Sequence, residues 1–194
     1  MYYPTVADPT KEYHTTFVRA GEREKHATKR LCGNPSYREF VIVAESWEST
    51  GEYTLFRYPA VPREPPDVRG LLRAVQFLQK ARVVHGRINA DAIRGGRLAN
   101  FETAVDMAGA WKHAREYFFE EGPPDKRALG VLAQGSLEMP RSAFLELVKG
   151  WKTWDLYDLS GVVDHPLAER CRAENAVDRP TVEECLAALK EPAL

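Results

Sequence analysis

The chain has 194 residues, 44% of them hydrophobic, which suits one domain with a buried core. Its 27 basic and 28 acidic residues leave a formal net charge of −1, which gives no argument for nucleic acid or an acidic membrane as a partner. Three cysteines, an odd number without a CxxC pair, read as buried thiols in a reducing compartment and not as a disulfide framework.

Residues 1–20 are polar and broken by Pro4 and Pro9. They have neither the basic nor the apolar region of a signal peptide, and they predict an irregular arm or a single strand. Glu22 to Gly33 predicts a short charged helix stopped by glycine. Phe40 to Trp47 and Glu52 to Pro59 are rich in β-branched and aromatic residues and flank a Glu-Ser-Thr-Gly turn, which predicts a hairpin. Val61 to Pro66 carries three prolines, excludes helix and central strand, and predicts a hinge. Beyond it, Val68, Leu71, Leu72, Val75 and Leu78 recur at three- and four-residue steps, the stripe of a long amphipathic helix. Arg82 to His85 and Ala92 to Phe101 predict short strands, with Gly95-Gly96 as a tight turn. From Asp125 onward the chain reads as mostly helical. Asp125 to Ala133 is apolar on nearly all sides below its first turn and predicts a buried helix. Thr181, with Glu184 three residues on, has the spacing of a capping box. No apolar run approaches membrane-spanning length, and the expectation is a soluble protein, cytoplasmic or otherwise intracellular.

Four of these stretches, taken in order, resemble the protein kinase family. "HGRINADAI", from His85, lies where that family has its H-R-D-L-x-x-x-N catalytic loop, with His85 at the family's histidine and Ile88 at its leucine. Asn100-Phe101-Glu102 lies where the family has D-F-G. "DKRALGVL", Asp125 to Leu132, resembles the D-x-W-S-L-G-V-L helix, which implies that Asp125 braces the catalytic loop from below. "HPLAERCRAENAVDRPTVEECL" resembles the closing helices, with Arg179 at the near-invariant arginine. The resemblance covers roughly residues 20–190. It implies an α+β, kinase-like fold: a reduced, N-terminally truncated β-rich lobe over residues 1–60 and a mostly helical lobe over 61–194. Glu24 falls near the family's paired glutamate. No glycine-rich phosphate loop occurs, and "TTFVRA", the remnant of the strand that should carry the phosphate-binding lysine, contains no lysine.

Phosphoryl transfer needs a base, metal ligands and a phosphate cradle. By the resemblance, the base aspartate is replaced by Arg87, whose guanidinium has no accepting lone pair. The catalytic-loop lysine is Asn89, and the metal-binding asparagine is Ala92, which has no side-chain oxygen. The D-F-G aspartate is Asn100, a neutral and weaker ligand for a hard cation, and its glycine is Glu102. Asp91 stands one position before the lost asparagine, where no catalytic role is implied. Arg87 is expected to pair with Glu102 or another carboxylate, His85 to be a packed histidine, and Asp125 and Arg179 to be structural. The expected partner of Arg179 is Glu116, Glu120 or Glu121. The five scattered histidines form no H-E-x-x-H, and no metal, cofactor or catalytic residue is expected.

Phe144 to Val163 lies where kinases present a docking helix, and Trp151, Trp154 and Tyr157 stand close together in it. They read either as core residues or as an aromatic patch for a protein partner. The implied function is that of a catalytically inactive pseudokinase: a scaffold or regulator that binds an active kinase or its substrate, with no ATP binding expected. The rival from another class is a nucleotide-binding enzyme with weak or atypical phosphotransferase activity. A third reading, an unrelated α+β domain, fails if the helix over residues 125–133 packs directly under the loop over residues 85–92.

Overall fold

Strand β1 (Tyr13–Arg19) is the single strand expected near the start, and it opens a three-stranded antiparallel sheet. The computed structural model describes residues 12–19, 21–61, 67–110, 121–135 and 140–189. Helix α1 (Glu22–Leu31) follows, then the single turn α2 (Tyr37–Phe40) and the hairpin β2 (Ser46–Thr50) and β3 (Tyr53–Pro59). The sheet order is β1-β3-β2. The hairpin lies later than its sequence suggests. Val41 to Ala44 are extended but do not join β3. Val41 instead bridges Leu98, and the Ile42 N–H donates to the Leu98 carbonyl at 2.8 Å. All four residues are buried, so this run closes the core between the sheet and the rest of the chain.

Helix α3 (Val68–Ala81) matches its predicted span. The Asp67 carboxylate caps it by accepting from the Arg69 and Gly70 N–H groups. Leu71, Leu72, Val75 and Leu78 are all buried on its inner face. Four two-residue strands follow: β4 (Val83–Val84), β5 (Ile93–Arg94), β6 (Arg97–Leu98) and β7 (Val105–Asp106). β4 pairs with β7, and β5 pairs with β6 across Gly95 and Gly96, whose φ angles of 51° and 68° are those a two-residue hairpin requires. Five helices complete the fold: α4 (Pro124–Gly135), α5 (Arg141–Leu147), α6 (Trp151–Leu159), α7 (Leu167–Cys171) and α8 (Val182–Ala188). Thr181 caps α8 with the expected capping box to Glu184.

The fold is therefore mixed α+β. Its largest core gathers Ala27 and Leu31 of α1, the inner face of α3, Ile88 of the following loop, Leu156 and Leu159 of α6, and Val182 and Cys185 of α8. A second core holds Val84, Val105, Leu129, Phe144 and Trp154. α4 departs from expectation. Leu129 is buried, but Val131 is 69% exposed, so this helix lies at the surface and is not enclosed. Of the predicted hinge, only Val61 lies within the described residues. No helix among them is long and apolar enough to cross a membrane.

Candidate functional site

The loop from His85 to Ala92 is pinned from three sides. The α6 carboxylate of Asp155 accepts from the His85 N–H at 2.9 Å and the Gly86 N–H at 3.1 Å. The Thr103 hydroxyl donates to the His85 carbonyl at 3.1 Å. The His85 ring does the third job. Its Nε2 lies 2.8 Å from the Ala99 carbonyl, which only accepts, so Nε2 carries the proton. Its Nδ1 accepts from the Arg87 N–H at 3.4 Å. Both ring nitrogens are thus used, and the ring packs on Phe101 with centroids 4.8 Å apart. Burial pushes the imidazole pKa down to about 4, against the pull of the Ala99 carbonyl. His85 is a neutral, fully buried strut that has no lone pair left for chemistry.

The other loop positions are equally committed. The Arg87 side chain is half exposed and pairs with Glu121 at 3.7 Å, a carboxylate other than Glu102. The Asn89 amide oxygen accepts from the Ala92 N–H at 3.0 Å and caps the 3₁₀ turn Ala90–Ala92. Ala92 is buried and Asp91 is exposed. Asn100 takes a left-handed φ of 62°, which asparagine tolerates, and its buried Oδ1 finds no donor among the described residues. Glu102 is half-buried. Beside the loop an open groove of about 200 Å³ is walled by Arg87, Glu121, Tyr157 and Arg172, among others. Its cations are engaged. Arg87 pairs with Glu121, and Arg172 donates to the Ser160 hydroxyl and carbonyl. Among the described residues no cluster of three or more His, Cys, Asp or Glu could hold a metal ion.

Asp125 does not brace the loop. Its Oδ2 accepts from the Trp154 indole at 2.6 Å, and its Oδ1 pairs with Arg179 at 2.7 Å. The helix whose carboxylate holds the loop is α6, whereas α4 contributes Leu129, among its described side chains, to the core around Val84. So the brace comes not from Asp125 but from an aspartate 30 positions further on. The partner of Arg179 is likewise Asp125 and not Glu121; Glu116 and Glu120 lie outside the described residues. Arg179 is buried and fully used. Besides Asp125 it donates to the Ala173 and Glu174 carbonyls and the Thr153 hydroxyl, and its guanidinium lies 5.6 Å from the Tyr157 ring centroid.

This arrangement also takes Trp154 out of the expected aromatic patch. Trp154 is 0% exposed and belongs to the core, while Trp151 and Tyr157 are half-buried. Sequence reading missed Asp155, Asp158 and Lys126. Lys126 of α4 and Asp158 of α6 form an ion pair at 2.8 Å, with side chains 1% and 8% exposed. The available signal was two aspartates three apart among the apolar and aromatic residues of Trp154 to Leu159, an arrangement that needs polar partners once the helix is buried.

Gly150 is part of the same joint. Its φ of −81° is ordinary, but an added Cβ would strike Asp125 Oδ2 and stand 2.6 Å from the Ala176 Cβ. Gly150→Ala is expected to wedge the Asp125–Arg179 pair and cost about 1–3 kcal/mol in urea unfolding. Gly109→Ala, where nothing stands within 4 Å of the added carbon, is expected to stay within about 0.5 kcal/mol.

In comparison with known proteins, the sequence matches no protein-family model and no curated protein.

Proposed function

We propose that this chain is a catalytically inactive relative of the protein kinases that works inside the cell by binding a protein partner, an active kinase or its substrate. The observation that carries this reading is the loop over residues 85–92. It is braced on its backbone by Asp155 and locked by a neutral His85 packed at a tilt against Phe101, yet none of its reagent positions holds a base or a hard-cation ligand. The short β4–β7 pair before and after the loop, and the β5–β6 hairpin leading to Asn100, suit the same reading. In this reading the register of the resemblance moves. Asp155-Leu156-Tyr157-Asp158-Leu159-Ser160 takes the D-x-W-S-L-G pattern that Asp125 to Leu132 was expected to fill. Pro124-Asp125 then stands at the end of the activation segment, with Arg179 as the partner of its carboxylate. The frame is kept for the surfaces it supports. Those surfaces do not include Trp154.

The test is the melting temperature with and without millimolar ATP, each with and without Mg²⁺. No shift is expected in any arm. A ligand at 100 times its Kd would add about 2.7 kcal/mol, so a clear upward shift would overturn the reading in favour of a nucleotide-binding enzyme.

A further inference from the structure

Two of the three cysteines meet. Cys171 ends α7 and Cys185 lies in α8, and their sulfurs are 3.9 Å apart. Both are free thiols, 5% and 1% exposed. Their contact is well supported. Arg172, the next residue after Cys171, is clamped to Ser160, and the α8 turn carrying Cys185 is fixed by the Thr181 cap. A partly open cavity of about 20 Å³ has both cysteines in its wall, together with Leu72, Leu159, Val163 and His165. That volume is about what one or two heavy atoms need, so water or hydrogen peroxide fits and a tripeptide thiol does not.

We propose that Cys171 and Cys185 are a reversible dithiol–disulfide pair that takes hydrogen peroxide as its oxidant. Cys171, 5% exposed against 1% for its partner, is the more accessible thiol and is the attacking sulfur. The contact with the Cys185 sulfur holds the Cys171 thiol below the ordinary cysteine range against the opposing effect of burial, and the charge of Arg170 acts in the same direction as the contact. The Cys185 thiol is pushed up by the same contact and by burial. In the first step the Cys171 thiolate attacks a peroxide oxygen. The S–O bond forms, the O–O bond breaks, and the departing hydroxide takes a proton to become water. In the second, the Cys185 sulfur attacks the sulfenic sulfur. The S–S bond forms, the S–O bond breaks, and the Cys185 proton leaves with the hydroxide as a second water. Two thiols are oxidised to one disulfide, and one peroxide is reduced to two waters. The sulfurs must close to about 2.05 Å, which the end of a five-residue helix can supply. The product ties α7 to α8.

The test is peroxide treatment of the full chain, followed by alkylation, intact mass and a non-reducing peptide map. The expected product has lost two hydrogens and holds a Cys171–Cys185 cross-linked peptide, with Cys32 still open to alkylation and dithiothreitol restoring the thiols. Cys185→Ser is expected to stop at a sulfenic acid on Cys171 that dimedone traps. Should that variant fail to fold, the wild-type peptide map decides alone. Cys32 is the internal control, because it is more exposed than either partner and has no thiol beside it. Oxidation confined to Cys32, links only between chains, over-oxidised Cys171 without a cross-link, or no reaction would each overturn the proposal.

Discussion

Glu24→Gln is expected to stabilise the protein at neutral and alkaline pH and to remove most of the loss of stability between pH 4.5 and about 8. The wild-type carboxyl is 0% exposed on the inner face of α1, and among the described residues no hydrogen bond closes on either oxygen. Burial lifts its pKa to about 8, opposed by the facing Tyr58 hydroxyl and Phe101 N–H and reinforced by the charge of Glu102. The Tyr58 phenol is pushed upward by its own burial and by Glu24, so it stays protonated while Glu24 titrates. No lysine lies on β1 to neutralise the carboxylate.

The sign follows from linkage. The folded protein keeps a proton on Glu24 that the unfolded chain sheds above pH 4.5, so its stabilising share is complete below that pH and is lost as pH rises through about 8. The full loss is on the order of 5 kcal/mol at about 1.36 kcal/mol per pKa unit. Glutamine has the same shape and never ionises. Urea unfolding should therefore give near-equal stabilities for the two proteins at pH 4 and a clear gain for the variant at pH 8. A variant weaker than wild type at pH 8 would mean that the carboxylate is ionised and paired in the fold. The variant also uncovers His85. That imidazole falls from its ordinary 6.5 to about 4 in the fold, so its contribution is complete above pH 6.5 and is lost as pH falls through 4, about 3 kcal/mol by the same conversion.

What the sequence shows and what it hides divide along one physical line. Elements fixed by local periodicity and capping are visible in it. The α3 stripe, the Gly95-Gly96 hairpin and the Thr181 capping box all stand where the pattern puts them. Elements fixed by long-range pairing are not. Val41 to Ala44 are apolar on both faces and have no period-two register, so nothing local says that they meet Leu98 and not β3. The site divides in the same way. The loop itself could be read from His85 to Glu102, but its brace could not. Asp125 and Asp155 each precede leucines on a helix, and only the path of the chain decides which carboxylate reaches the His85 N–H. Trp154 was ambiguous for the same reason, because a helix buried on most sides shows no polar face by which to orient its aromatic residues.

Lys126→Met is expected to cost about 3–5 kcal/mol, because it leaves Asp158 charged, buried and unpaired. Burial already raises the Asp158 pKa, and Lys126 is the main opposing influence, with the nearby Asp155 adding to the rise. Without the lysine, the penalty should be largest near neutral pH and shrink as acid protonates Asp158. The double variant K126M/D158N removes both charges and should recover most of the loss, since a buried pair is worth far less than either of its orphaned halves. The same substitution tests how the loop is held. Burial also raises the pKa of the Asp155 carboxylate, opposed first by the His85 and Gly86 N–H groups and then by the charge of Lys126. Ionised, it offers an accepting oxygen to each N–H; protonated, one oxygen turns donor and one N–H loses its partner. K126M should therefore speed hydrogen exchange at His85 and Gly86 before the fold as a whole weakens, an effect that D158N restores only in part. Exchange unchanged at those two amides would mean that their hydrogen bonds alone keep Asp155 ionised. Faster exchange would show that one buried lysine, distant from the loop in sequence, adds to what the two N–H groups do for the charge of its brace.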